Sequence, residues 1–337
     1  MDSREFDGQI QGDLRRFAVS PSPLAFYSWW CTARSVKNCP QIGPNFSNVR
    51  PDNNWLFRGM GGDYPLVPSL FRKSSLGKSG MLVRFTRRDL TSIEQFKLAE
   101  RDIILEFFNI ADKRGLILPD DSQDLRTRLE ELKSPRGDRN AQSLGERGWS
   151  ILEQASSLVA LAQHYGIPTR LLDWTRQSLI AAFFAAESAA NSKTKSGGSS
   201  GRGGIKLVVV WAFYFPMLGR HDVVGWNNSP IRVVTAPSAT NPNLKAQQGV
   251  FTLSNEWPNL TNPRLYKPME QVIEKFIKSG DFPPSLKDSK LKKFTVPASE
   301  CHKLLFLLAK MDITPSKIYP GYHSIIDDIN QSLSWKF

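Results

Sequence analysis

Residues Ala162–Thr175 read AQHYGIPTRLLDWT, and the conformation of this stretch decides how the chain is put together. A His, an Arg, an Asp, a Trp and two Thr stand together between apolar flanks. Polar and ionisable groups so placed must pair or face a cleft, because burying them alone costs several kcal/mol. Upstream, Trp149–Tyr165 sets Ile151, Leu152, Ala155, Leu158, Val159 and Ala162 at helical intervals. The end of that helix is marked by Gly166, suited to a left-handed cap, and by Pro168 two residues on. A second helix is expected over Gln177–Ala190 with Thr175 as its N-cap. The stretch thus reads as a helix end, a proline-bearing corner and the start of another helix.

Within it, Arg170 and Asp173 are three apart and are expected to pair, fixing the corner. Trp174 reads as core, and Thr169 and Thr175 as turn and cap residues. His164 lies in the last helical turn, where the dipole favours the imidazolium form. It reads either as an acid/base or ligand partner, or as a C-terminal capping histidine.

Working outward, NNWLFRG ends at Gly59 and forms a short strand, with Trp55 and Phe57 on one face and Leu56 and Arg58 on the other. A glycine after Arg58 lets a ligand approach the backbone. A fixed guanidinium there suits a phosphate or carboxylate, gripped by parallel hydrogen bonds; the structural alternative is a pair with Asp173 or Asp63. Pro65 and Pro68 forbid a regular helix in the following YPLVPSLFR. Helical spacing returns over Ile93–Asn109, and strands are expected at Ile205–Phe215, Ile231–Ala236, Gly249–Ser254 and Lys293–Pro297. A helix is expected over Ser299–Met311, with Glu300 in its first turn. Ser192–Gly204, SKTKSGGSSGRGG, reads as a cationic Gly/Ser-rich loop. The expected fold class is α+β, a helix-rich middle region packed on a mixed, mostly antiparallel sheet. Residues 1–50 form an amino-terminal extension with a helix at Leu24–Val36, and 51–337 form the main domain with a carboxy-terminal tail.

The 337 residues, 40% hydrophobic and 11% aromatic, suffice for a sizeable core. The formal net charge of +12 favours an anionic ligand or nucleic acid, or else only sets solubility. Cys31, Cys39 and Cys301 lack the spacing of a zinc site or disulfide framework, so no metal is expected and a cytoplasmic setting fits best. No apolar run is long enough to span a bilayer, and no membrane partner is expected.

WLFRG at Trp55–Gly59, YPLVPSLFR at Tyr64–Arg72, AQHYGIPTRLLDWT and the LIAAFFAA that follows together resemble the FRG domain, a family found mainly in bacteria and their phages. The resemblance runs from about Asn54 to Leu218, and the carboxy-terminal sequence resembles the tail that often follows this domain. Where that tail usually reads FPGLDG, this chain has YPGYHS, with His323 in place of the usual Asp. The resemblance implies a setting in bacterial defence, toxin or phage biology and brings no reaction with it.

Two function classes follow. In the first, the chain binds NAD and transfers ADP-ribose or cleaves the dinucleotide. By analogy with enzymes of that class, an Arg from an early strand, here Arg58 with Gly59, holds phosphate. His164 touches a ribose hydroxyl, Arg170 adds a second cation, and Glu256, Glu270 or Glu300 supplies the carboxylate, with Gln247–Ser254 a strand near the pocket. In the second, the chain is a non-enzymatic module for nucleic acid or a regulatory nucleotide. It would use basic clusters at Arg84, Arg87 and Arg88, at Arg126, Arg128, Arg136 and Arg139, and at Lys287, Lys290, Lys292 and Lys293. HExxH and P-loop patterns are absent from the sequence.

Overall fold

The computed structural model describes residues 54–72, 80–87, 90, 92–133, 151, 155–195, 207–215, 230–236, 241–254, 256, 266–279 and 290–333. The extension 1–50, with its expected helix at Leu24–Val36, lies outside them.

The polypeptide folds as α+β. Six strands make one sheet: β1 (Trp55–Met60), β2 (Leu171–Thr175), β3 (Leu207–Tyr214), β4 (Ile231–Val234), β5 (Gly249–Ser254) and β6 (Lys290–Pro297), in the order β4-β5-β2-β1-β3-β6. Every ladder in it is antiparallel, in keeping with the expected α+β class and its mostly antiparallel sheet. The ladders are unequal. β1 runs beside β3 from Trp55 opposite Tyr214 to Met60 opposite Val209, and β2 pairs with β5 along its whole length. Between β1 and β2 there is a single bridge, Phe57 opposite Thr175. The sheet is therefore two three-stranded halves, β4-β5-β2 and β1-β3-β6, joined at one point and parted beyond it.

Helices cover both faces: α1 (Met81–Thr86), α2 (Ile93–Lys113), α3 (Gln123–Lys133), α4 (Ser156–His164), α5 (Ser178–Lys195), α6 (Pro242–Gln247), α7 (Met269–Ser279), α8 (Cys301–Lys310), α9 (Pro315–Ile318) and α10 (Tyr322–Leu333). α2 starts with a capping box: Ser92 Oγ accepts from Gln95 N–H at 3.2 Å, and Gln95 Oε1 accepts from Ser92 N–H at 3.1 Å. α5 is rich in small residues. Its buried Ala181, Ala182, Ala185, Ala186 and Ala189 lie against Phe57, Val208, Val210 and Ala212, with Leu304, Leu305 and Leu308 of α8 behind them. Leu56, Leu172, Trp174, Val209, Trp211 and Phe213 pack with Met269, Val272 and Ile273 of α7. A third cluster joins α2, α3 and α4 to Leu171, Phe251 and Leu253.

Gly59 shows how tightly α5 seats. A Cβ there would overlap the Ala181 carbonyl and meet Ala185 N at 2.8 Å. The glycine after Arg58 thus admits a helix, where the sequence suggested a ligand.

The Ala162–Thr175 stretch departs most from expectation. α4 begins only at Ser156, because Ala155 lies outside helical geometry (φ −143°, ψ 43°). It ends as expected: Gly166 is left-handed (φ +91°), and bonds from Gly166 N–H to Gln163 O (2.9 Å) and from Ile167 N–H to Ala162 O (3.0 Å) close the turn. Past the Pro168 corner comes a strand, not a helix, in the middle of the sheet. α5 follows only at Ser178 and runs to Lys195, into the segment expected as loop. In extended chain, residues three apart point to opposite faces, so Arg170 and Asp173 do not pair.

Candidate functional site

Arg170 is buried, its side chain 3% exposed, and its Nε donates to Glu100 Oε2 at 2.8 Å. Glu100, on α2 and fully buried, also accepts from Arg170 N–H through Oε1 at 3.1 Å. This pair ties α2 to the entry of β2. It is a packing device inside the core, and Arg170 does not line the cavity described below.

That cavity, of about 380 Å³, opens where the sheet halves part. It falls within the usual size range of small-molecule sites, about 300–1,000 Å³. Arg58 and Gly59 of β1 line it, with Gln163 and His164 of α4, Asp173 to Thr175 of β2, Phe184 of α5, Gln247 of α6, Gly249 and Phe251 of β5, and Tyr319. Arg58 reaches across the split. Its Nη1 donates to the main-chain carbonyl of Asp173 at 2.6 Å and lies 3.4 Å from Asp173 Oδ2. Arg58 Nε is buried and has no acceptor.

Asp173 is the one carboxylate among the described residues lining the cavity. Its side chain is 58% exposed. A relay orients it: Thr169 Oγ1 donates to Gln163 Oε1, and Gln163 Nε2 donates to Asp173 Oδ1. Thr169 is itself buried and accepts from Leu171 N–H at 3.1 Å. Arg72 stands in the field of the same groups. Burial and the like charge of Arg58 lower its pKa, and Asp173 opposes this.

His164 is the last residue of α4, beside Asp173 at the cavity wall. The sequence favoured an imidazolium. Desolvation instead lowers the His164 pKa from its ordinary value, and the Asp173 charge offsets this only in part. Trp174 is core, 3% exposed, its Nε1 donating to Thr252 Oγ1 at 2.8 Å. Thr175 Oγ1 donates to Gln247 O at 2.7 Å and accepts from Gln177 N–H at 3.0 Å.

The candidate glutamates do not meet the cavity. Glu300 stands in the short turn before α8, Glu256 lies 3.7 Å from Lys267, and Glu270 accepts from Leu66 N–H at 2.9 Å. The structure thus brings Arg58, Gly59, His164 and Asp173 into one cleft and leaves Arg170 and Glu300 out of it. Sequence reading passed over Gln163, Phe184 and Tyr319 as site residues. Gln163 and Tyr319 lie inside motifs already quoted, but no residue chemistry singled them out. β5, by contrast, was expected near the pocket, and Gly249 and Phe251 do line it.

Several of the basic residues are neutralised. Arg126 lies 2.7 Å from Asp112 and 2.8 Å from Asp121, Arg128 pairs with Asp124 at 2.7 Å, and Lys293 pairs with Asp63. Arg88, Arg136, Arg139 and Lys287 lie outside the described residues. Among the described residues no group of His, Cys, Asp and Glu is arranged to hold a metal ion, and no helix is long and apolar enough to cross a membrane.

An α+β protein with a split antiparallel sheet and an arginine–aspartate cleft at the split is the class defined by these observations. Residues 53–194 match the family model for the FRG domain, and the chain carries that domain. No curated protein and no solved structure matches the chain.

Proposed function

We propose that the cleft binds a phosphate-bearing nucleotide, NAD being the candidate, and acts at its ribosyl bond as an ADP-ribosyltransferase-like or NAD-cleaving enzyme. The observation that carries this reading is Arg58: a guanidinium held at an open cavity by Asp173, with its buried Nε still lacking an acceptor. Arg58 lines the cavity, and a guanidinium there would hold a phosphate oxygen by a charge-assisted bond. The domain so defined runs past the matched residues, because β5 and Tyr319 contribute to the cavity.

The chemistry assigned to glutamate passes to Asp173. As the C1′–N bond breaks, its electron pair leaves with the nicotinamide, and positive charge develops on the ribose. A carboxylate beside that carbon stabilises it. The incoming nucleophile, water or an acceptor group, bonds to C1′ and gives up its proton. His164, with its lowered pKa, is a neutral acceptor for that proton or for a ribose hydroxyl.

The test is incubation of the purified protein with NAD and measurement of released nicotinamide. Arg58→Gln and Asp173→Asn are each expected to cut the rate by about a hundredfold. Tight binding without release would favour the second reading, a non-enzymatic nucleotide module. No binding and no release would overturn both.

A further inference from the structure

Five aromatic side chains line the cavity: Phe57, Trp174, Phe184, Phe251 and Tyr319. Three of them are consumed by the core, with Phe57 2%, Trp174 3% and Phe251 5% exposed. Phe184 and Tyr319 are half-buried, so the ring surface open to the cavity is theirs. Their centroids are 6.1 Å apart with planes at 54°. Phe183, behind them, meets Tyr319 edge-on at 6.4 Å.

Tyr319 comes from far beyond the matched family residues, and the chain fixes it from several sides. Its hydroxyl donates to Glu187 Oε2 of α5 at 2.9 Å, and its N–H donates to Pro315 O at 2.7 Å. Ser324 Oγ donates to its carbonyl. Ile318, just before it, is fully buried in the core between α5 and α8. Gln247 Nε2, from the end of α6, lies 3.4 Å from Ile318 O. A wall that only closed the cavity would need an apolar side chain there. A half-buried carboxylate spent on orienting one phenol points to a ring whose angle matters.

We propose that the carboxy-terminal segment completes the ligand site: Tyr319 with Phe184 forms a platform for the flat heterocycle of a nucleotide, and Glu187 positions Tyr319. This rests on the reading that Arg58 holds the phosphate of the same ligand. The site then recognises two chemically distinct parts: an anion at the β1–β2 split and an aromatic ring at the α5–tail wall. Stacking is tolerant of ring identity because every base offers a π-face. The platform therefore accepts purine or pyridine rings and adds nothing to the affinity of a ligand that lacks one.

The experiment uses the full chain and calorimetric titration with two probes, NAD and inorganic pyrophosphate. Tyr319→Leu fills the same space without a flat ring. It is expected to weaken NAD binding about tenfold or more and to leave pyrophosphate affinity unchanged. Tyr319→Phe keeps the ring and is expected to restore most of the NAD affinity. Glu187→Ala, which removes the acceptor for the phenol, is expected to weaken NAD binding several-fold and to leave pyrophosphate affinity unchanged; unchanged NAD affinity there would overturn the positioning role. Arg58→Gln is expected to weaken both. Unchanged NAD affinity in Tyr319→Leu would overturn the platform while leaving the Arg58 reading intact. Equal losses for both probes in that variant would also overturn it. Unchanged affinity for both probes in Arg58→Gln, or no binding by the parent, would overturn the site itself.

Discussion

Arg58 Nη1 hydrogen-bonds the main-chain carbonyl of Asp173 across the gap between β1 and β2, at 2.6 Å. Beyond the single bridge of Phe57 and Thr175 no ladder joins these strands. The side chain therefore does for that carbonyl what a neighbouring strand would do elsewhere in the sheet. Removing it without replacement leaves a carbonyl short of a donor. Arg58→Met is expected to lower unfolding free energy by about 1–3 kcal/mol, read from the denaturant midpoint. A midpoint equal to the parent's would mean that water satisfies the carbonyl and that Arg58 serves the ligand alone.

The Arg170–Glu100 pair sits in the core and is expected to respond asymmetrically. Glu100→Gln removes the charge that this carboxylate sets against the buried guanidinium, and losses of up to about 3–5 kcal/mol accompany the breaking of such pairs. Replacing both residues with apolar ones of similar volume, as in Glu100→Leu with Arg170→Met, is expected to recover much of that loss. Thermal denaturation of the single and double variants checks this. A double variant no more stable than Glu100→Gln would show that the pair contributes more than mutual neutralisation, since Glu100 also accepts from Arg170 N–H.

Much of the architecture was legible in sequence because its signals are local. α2, the α4 terminus at Gly166, and strands β3 and β5 follow from periodicity and turn chemistry. β2 was not legible. Four of its five residues are buried, so LLDWT shows no alternation from which a strand could be read. Its neighbours in the sheet come from β1, more than a hundred residues earlier, and from β5, some seventy-five residues later. Arg58 and His164 could be chosen by residue chemistry. Arg170 was misassigned for the same reason as β2: its partner Glu100 lies on a distant helix, and the nearby Asp173 offered a local substitute. Tyr319 reaches the cleft only through tertiary packing, and nothing local announces it.

Gly59 and Gly166 test two different demands on glycine. At Gly59 an added methyl meets the α5 backbone, which cannot yield as a flexible side chain would. Overpacking of this kind costs about 1–3 kcal/mol or more, so Gly59→Ala is expected to unfold at clearly lower temperature or to express as aggregate. At Gly166 nothing lies within reach of a Cβ, and only the left-handed backbone resists. Gly166→Ala is expected to cost about 1 kcal/mol. Calorimetry ranks the two, and the reverse order would refute the close-approach account.

His164 is expected to titrate below the ordinary histidine value of about 6.5, because desolvation outweighs the attraction of Asp173. Asp173→Asn removes that attraction and is expected to lower the titration further, which NMR of the ring protons follows directly. A folded pKa below the unfolded one means that the unfolded chain takes up its proton first. Stability tied to this ring is complete above the unfolded value and is lost as pH falls through the folded one. A titration moving upward in Asp173→Asn would contradict the charge assignment.

Glu187 carries the opposite sign. Burial raises its pKa, and the neighbouring Asp327 adds to the rise, while the Tyr319 hydroxyl that donates to it opposes the shift. With the folded value above the unfolded one, its contribution to stability is fully present below the unfolded pKa and is lost as pH rises through the folded pKa. Above its raised folded pKa the carboxylate is ionised against that preference. Glu187→Gln keeps an acceptor for Tyr319 and removes the charge. It is expected to raise the melting temperature at pH 7–8, where about 1 kcal/mol corresponds to a shift of a few degrees. The advantage should vanish as pH falls through the ordinary carboxylate range, near pH 4–5. A melting-temperature difference that stays constant from pH 4 to pH 8 would show that packing, not ionisation, governs the Tyr319 contact.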